Sequence, residues 1–141
     1  MAKPGLADQQ ELLRWARTVS ARSDFPRLIR RLILETGTGV AQLGFPAGEG
    51  VSAGSWDGTV LSARETPFIP LGLSLWELSV ERNVGRKAEA DYKKRTPNSA
   101  ATYIAAFPRR WRDRRAWAEA HAAEGRWRGC GDMESMISRH G

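Results

Sequence analysis

Two acidic residues stand out by the company they keep. Asp57 lies in Ser55-Trp56-Asp57-Gly58-Thr59-Val60, and Glu77 in Ser74-Leu75-Trp76-Glu77-Leu78-Ser79-Val80, twenty positions later. Each follows a tryptophan and adjoins an apolar run, so neither belongs to a charged surface stretch. A carboxylate in such a setting either pairs with a cation or takes up a proton more readily. If the two runs are neighbouring strands, the carboxylates meet at one edge and can share a hard divalent cation, Mg2+ or Mn2+, which takes oxygen ligands and keeps several waters. Such a cation activates water and neutralises charge on a scissile phosphate. Glu49, between Gly48 and Gly50, is exposed by its flexible loop and can add a third oxygen. The same residues have a plainer reading. Asp57-Gly58 is a common turn dipeptide, and Glu77 fits the solvent side of an amphipathic strand.

The elements that must position these residues follow from hydrophobic spacing. Leu12, Leu13, Ala16 and Val19 predict a helix over residues 7–22. Ser23-Asp24 interrupts it as an N-cap, and Pro26 suits the first turn of a second helix. That helix buries Leu28, Ile29, Leu32 and Ile33, turns Arg27, Arg30 and Arg31 outward, and stops at Gly37 and Gly39. Strands are expected over residues 40–45 and 58–63, with a proline-broken connection over 65–73. The strongest strand pattern covers 75–80, where Trp76, Leu78 and Val80 face the core and Leu75, Glu77 and Ser79 share the other face. A polar helix over 86–95 docks through Ala88 and Tyr92. A strand over 101–107 and a helix over 109–123, packed through Trp111, Trp117 and Ala118, complete the pattern. Residues 129–141 are weakly patterned and read as a tail prone to fraying. The order predicts an α/β fold, a central mixed β-sheet flanked by helices.

The 141 residues read as one domain, residues 1–141 with a core over about 7–128, long enough for a hydrophobic core. At 41% hydrophobic and 27% charged, the chain is globular in type rather than disordered. A net charge of +6 and a pI near 10.2 favour an anionic partner, nucleic acid before an acidic membrane surface. The basic excess gathers after residue 108, where Arg109, Arg110, Arg112, Arg114 and Arg115 crowd the start of the expected helix. Contacts of this kind to phosphates fix position without reading sequence. The plainer reading of these arginines is a solvated helix or a docking face for the rest of a larger protein. Trp111, Trp117 and Trp127, interleaved with arginine, suit core packing or base stacking.

The lone cysteine, Cys130, allows no intrachain disulfide and suits a reducing cytoplasm. Met1-Ala2-Lys3-Pro4-Gly5 has no apolar run behind it, so no signal peptide is expected. No apolar run approaches the roughly 20 residues of a membrane span. The expected location is therefore cytoplasmic. His121 and His140 lack a second His or Cys at ligand spacing, and His121 reads as a plain helix-surface residue.

Several short strings occur together: Glu49-Gly50, Trp56-Asp57-Gly58, Pro70-Leu71-Gly72-Leu73-Ser74-Leu75-Trp76-Glu77, Lys87-Ala88 and Asp91-Tyr92-Lys93-Lys94-Arg95-Thr96. As a set, over about residues 8–128, they resemble the restriction-endonuclease-like N-terminal domain of large bacterial proteins, many associated with defence against phage. That domain is similar to the PD-(D/E)XK nuclease superfamily. The resemblance implies a restriction-endonuclease-like central mixed sheet and metal-dependent cleavage of DNA phosphodiesters. It sets Asp57 at the motif aspartate and Glu77 at the acidic position of the next strand. The motif's lysine belongs two residues further on, where this chain has Ser79, and a hydroxyl supplies no positive charge to the transition state. Lys87, from the following helix, is the first substitute, with Lys93 or Lys94 next. The alternatives are a non-cleaving nucleic-acid-binding module and a protein-interaction domain on the same fold.

Overall fold

In a computed structural model, residues 21–45, 56–66, 69–108 and 111–132 are described, with side chains of the first helix described from Phe25. Eight elements follow one another. They are α1 (Ala21–Thr36), β1 (Val40–Gly44), β2 (Gly58–Ser62), β3 (Gly72–Leu78), α2 (Val84–Lys94), β4 (Ala101–Ala106), α3 (Arg114–Ala123) and β5 (Gly129–Asp132). The strands form a single mixed sheet in the order β1-β2-β3-β4-β5. The first three make an antiparallel meander, while β4 and β5 join in parallel. Parallel neighbours need a crossover, and α2 and α3 supply the two. The expected α/β architecture, a mixed sheet flanked by helices, is thus present.

Both faces of the sheet are covered. On one, Phe25, Ile29 and Ile33, four residues apart along α1, pack with Phe45, Val60, Ile69, Trp76 and Ile104. Each of these side chains is 6% exposed or less, and burying one such group contributes about 1.5–3 kcal/mol. Arg27, Arg30 and Arg31 point to solvent, as their spacing predicts. On the other face, Leu75, Tyr103, Phe107, Trp111 and Trp127 pack under Val84, Ala88 and Tyr92 of α2. Asn83 caps this helix by accepting from the Arg86 amide, and Lys93 and Lys94 complement its C-terminal dipole.

Several expectations are corrected. Ser23-Asp24 does not interrupt α1, and Pro26 lies inside the helix rather than at its opening. Its ring removes one main-chain hydrogen bond within a helix that tertiary burial holds together. The strand carrying Glu77 begins at Gly72 and ends at Leu78, although the Ser79 amide still reaches the Ala106 carbonyl. Its second face is not solvated: α2 covers it, so Glu77 is buried rather than on an open side. The last helix starts at Arg114, not residue 109. The expected tail is ordered at its start, where Gly129–Asp132 forms β5 along β4. Among the described residues, no helix is long and apolar enough to cross a membrane. The helix expected over 7–22 lies outside the described residues as far as residue 20.

Gly58 opens β2 directly after Asp57, opposite Trp76. A Cβ there would lie 2.1 Å from the Phe45 ring, which itself stands edge-on to Trp76 at 5.6 Å. Gly58→Ala is therefore expected to destabilise the protein by about 1–3 kcal/mol through overpacking, read as a lower urea midpoint at unchanged slope.

Candidate functional site

The antiparallel register brings the two acids together. The β2–β3 ladder ends at the Gly58–Trp76 pair, so Asp57 and Glu77 are the next residue of each chain beyond it, close enough for the Asp57 charge to act on Glu77. Asp57 is anchored there, its Oδ2 accepting a 2.8 Å hydrogen bond from the Leu78 amide. Glu77, 9% exposed, accepts through Oε1 from Nε of Arg95 at 2.9 Å and from Nη2 of the same guanidinium. Arg95 follows α2 directly, and its guanidinium carbon lies 4.0 Å above the centre of the Trp56 ring. Trp56, Glu77, Lys94, Arg95 and Thr96 line one pocket. The arginine is therefore held from three directions: by the helix end, by an ion pair, and by cation–π stacking on Trp56.

A third acid, Asp91, joins the cluster from α2. It is 4% exposed and receives Lys87 at 3.1 Å and Lys94 at 3.2 Å. The three acids Asp57, Glu77 and Asp91 thus stand among three basic side chains, Lys87, Lys94 and Arg95. Lys87, expected to serve Glu77, pairs instead with Asp91, though its charge also acts on Asp57. Ser79, at the motif's lysine position, accepts from the Glu81 amide at 3.1 Å and shapes the turn leaving β3.

Burial governs the electrostatics. Loss of water raises the proton affinity of Asp57, against the Leu78 hydrogen bond, which lowers it. For Glu77, burial outweighs the opposing Arg95 contact, and the pKa is pushed up to about 7. A carboxyl whose folded pKa exceeds its unfolded value binds more protons in the folded state between the two. Its contribution to stability is therefore greatest at low pH and declines as pH rises through the folded value. In metal-free buffer, the stability difference between Glu77→Gln and the native protein is expected to shift in favour of the variant between about pH 5 and 8. Paired urea titrations across that range measure the shift. A pH-independent difference would contradict the raised value.

The expected DNA-facing arginines divide. Arg112 is fully exposed in the turn before α3, 3.5 Å from Asp113, and Arg115 is exposed in the first helical turn. Arg114 turns inward: its Nη1 donates to the Trp111 carbonyl, and its Nε lies 3.7 Å from the buried Asp132 of β5. It fastens α3 to the edge strand. Arg109, Arg110, Glu49 and His140 lie outside the described residues. Trp111 and Trp127 are buried in the core, and Trp117 packs against it.

His121 is not a plain surface residue. Its ring stacks on Tyr92 at 3.8 Å, with Glu124 2.5 Å from Nδ1 and Glu89 2.6 Å from Nε2. Glu124 also accepts from the Tyr92 hydroxyl, and Glu89 from the Trp117 indole. These bonds join α2 to α3. Cys130 is half-buried beneath them, and burial pushes its thiol up to about 12, away from nucleophilic use.

Among the described residues, no group of three or more His, Cys, Asp or Glu is arranged to hold a metal ion. Two carboxylates nevertheless suit a hard cation that retains water. Asp57 Oδ2 and Glu77 Oε1 carry the hydrogen bonds of the two acids among the described residues. No protein-family model, curated protein or solved structure matches the chain.

Proposed function

We propose that the chain is a DNA phosphodiesterase domain, of restriction-endonuclease-like type, that uses Mg2+ or Mn2+ held by Asp57 and Glu77. The observation that carries this reading is the pair of acids just beyond the end of the β2–β3 ladder, both with proton affinity raised by burial and both within reach of basic side chains. Buried neighbouring carboxylates repel each other as anions, and a divalent cation between them relieves that repulsion. A bound cation would supply activated water and charge neutralisation at the phosphate. Asp57 is oriented for ligation by the Leu78 amide, and Glu77 by Arg95. Of the five arginines expected to face DNA, Arg112 and Arg115 are exposed among the described residues and can reach backbone phosphates. The defence setting and cytoplasmic location rest on the sequence resemblance and composition.

A second reading is a non-cleaving nucleic-acid-binding or protein-interaction module. Two observations favour it: Ser79 carries no charge, and Arg95 already neutralises Glu77. Manganese binding separates the two. Calorimetry is expected to find one Mn2+ site in the native protein, weakened about tenfold or more by Glu77→Gln or Asp57→Asn. No manganese binding, or equal binding by both variants, would favour the second reading.

A further inference from the structure

We propose that Tyr103 is a positioning residue of this site, its hydroxyl holding a water of the hydrated cation beside the acids Glu77 and Asp91. The inference rests on the phosphodiesterase reading and adds a residue to it. Tyr103 lies in β4 and is fully buried, and its hydroxyl is a buried polar atom with no hydrogen-bond partner among the described residues. A buried phenol ordinarily finds a partner, because a group that gives up water and gains nothing costs stability. An orphan of this kind points to an ordered water or an ion at the site.

The sheet sets this orphan beside the acids. Tyr103 pairs with Leu75 in the parallel β3–β4 ladder, and alternate residues of a strand share a face, so Tyr103 and Glu77 project to the same side. Asp91 is a buried residue of α2 over that side, and the ring of its neighbour Tyr92 stands edge-on to Tyr103 at 5.2 Å. Trp56 and Trp127 hold the phenol ring from further directions, at 5.7 and 5.2 Å. A ring packed in this way is not free to turn toward another partner. Burial raises the proton affinity of the hydroxyl, and the charges of Glu77 and then Asp91 raise it further. Glu77 also lines the open pocket with Trp56, so solvent has a route to the acid.

A phenol suits a hydrated cation. Mg2+ and Mn2+ keep several waters, and waters polarised by such a charge are good donors. The phenolic oxygen accepts one such bond, and its own hydrogen is left to donate to a carboxylate or a second water. Outer groups of this kind orient the inner shell and tune its affinity. The hydroxyl stays protonated at neutral pH, so its role is to hold, not to move a proton.

The test measures Mn2+ binding by calorimetry to the native protein and to Tyr103→Phe, which keeps the ring and its packing. Tyr92→Phe is the control, since the Tyr92 hydroxyl donates to Glu124 in the same core but away from the acids. Tyr103→Phe is expected to weaken Mn2+ about tenfold, while Tyr92→Phe lowers the urea midpoint and stays within about twofold of native in Mn2+ affinity. Mn2+ should also raise the urea midpoint less in Tyr103→Phe than in the native protein. Native-like Mn2+ affinity in Tyr103→Phe, or an equal loss in Tyr92→Phe, would overturn the proposal. Asp57→Asn reports on the underlying reading separately. Mn2+ affinity lost with Asp57→Asn but kept in Tyr103→Phe leaves the reading standing and removes Tyr103. No Mn2+ binding by the native protein removes the reading, and the proposal with it.

Discussion

Trp76→Ala is expected to destabilise the protein by about 3–5 kcal/mol, the largest stability loss of any single change considered. Trp76 is 1% exposed in the central strand and packs edge-on against Phe45 under α1. Its indole nitrogen donates at 2.9 Å to Ser74 Oγ, two residues back on the same face. Truncation opens a cavity and leaves a buried hydroxyl without its donor, and both effects act in the same direction. A graded series separates them. Trp76→Phe keeps most of the volume and loses the hydrogen bond, so it should cost less than the alanine variant. Adding Ser74→Ala to Trp76→Phe should then recover about 1 kcal/mol by removing the stranded hydroxyl. Urea denaturation at neutral pH measures each step. Additive losses in the double variant would mean that Ser74 and Trp76 do not act together. Trp76 adjoins Glu77 and pairs across the sheet with Gly58, so the same core that stabilises the fold also aligns the two acids.

The sheet was legible wherever side-chain alternation was strong. Trp76 and Leu75 alternate cleanly, and the strand is central. What the pattern did not reveal is that the Glu77 face is also covered. That follows from α2 crossing back over the sheet, a tertiary fact with no local signature. β5 was missed for a different reason. Gly129-Cys130-Gly131-Asp132 has neither β-branched nor aromatic residues, so strand propensity is absent. Main-chain pairing along β4 and the Arg114–Asp132 ion pair hold it in place. Ser23-Asp24-Phe25-Pro26 carries every local sign of a helix start, yet burial of Phe25, Ile29 and Ile33 carries the helix through it.

The site was legible in its acids and not in its cations. Asp57, just before β2, and Glu77, in β3, are brought near each other where the β2–β3 ladder ends. The Lys87–Asp91 pair was available from its helical i,i+4 spacing, and Lys94 from i+3, whereas no local spacing ties Lys87 to Glu77. Arg95 lies eighteen residues after Glu77, beyond any local spacing rule. His121 shows the same division: Glu124, three residues on, is a local signal, whereas Glu89 is brought to it by the packing of α2 on α3.

The most direct measurement of the proposed activity is nicking of supercoiled plasmid by the native protein and by Asp57→Asn. The substitution keeps size and shape, and an asparagine oxygen can still accept from the Leu78 amide, so the fold and the β2–β3 register should persist. What it removes is a negative charge and a hard anionic ligand. A metal stabilises a phosphoryl transition state by several kcal/mol, and each 1.36 kcal/mol is tenfold in rate. The nicking rate with Mg2+ or Mn2+ is therefore expected to fall about a hundredfold or more, with EDTA abolishing the native activity. Circular dichroism and thermal melting of the variant, unchanged from native, would show that the loss is chemical. Nicking by Asp57→Asn at the native rate, or no metal-dependent nicking by the native protein, would contradict the account.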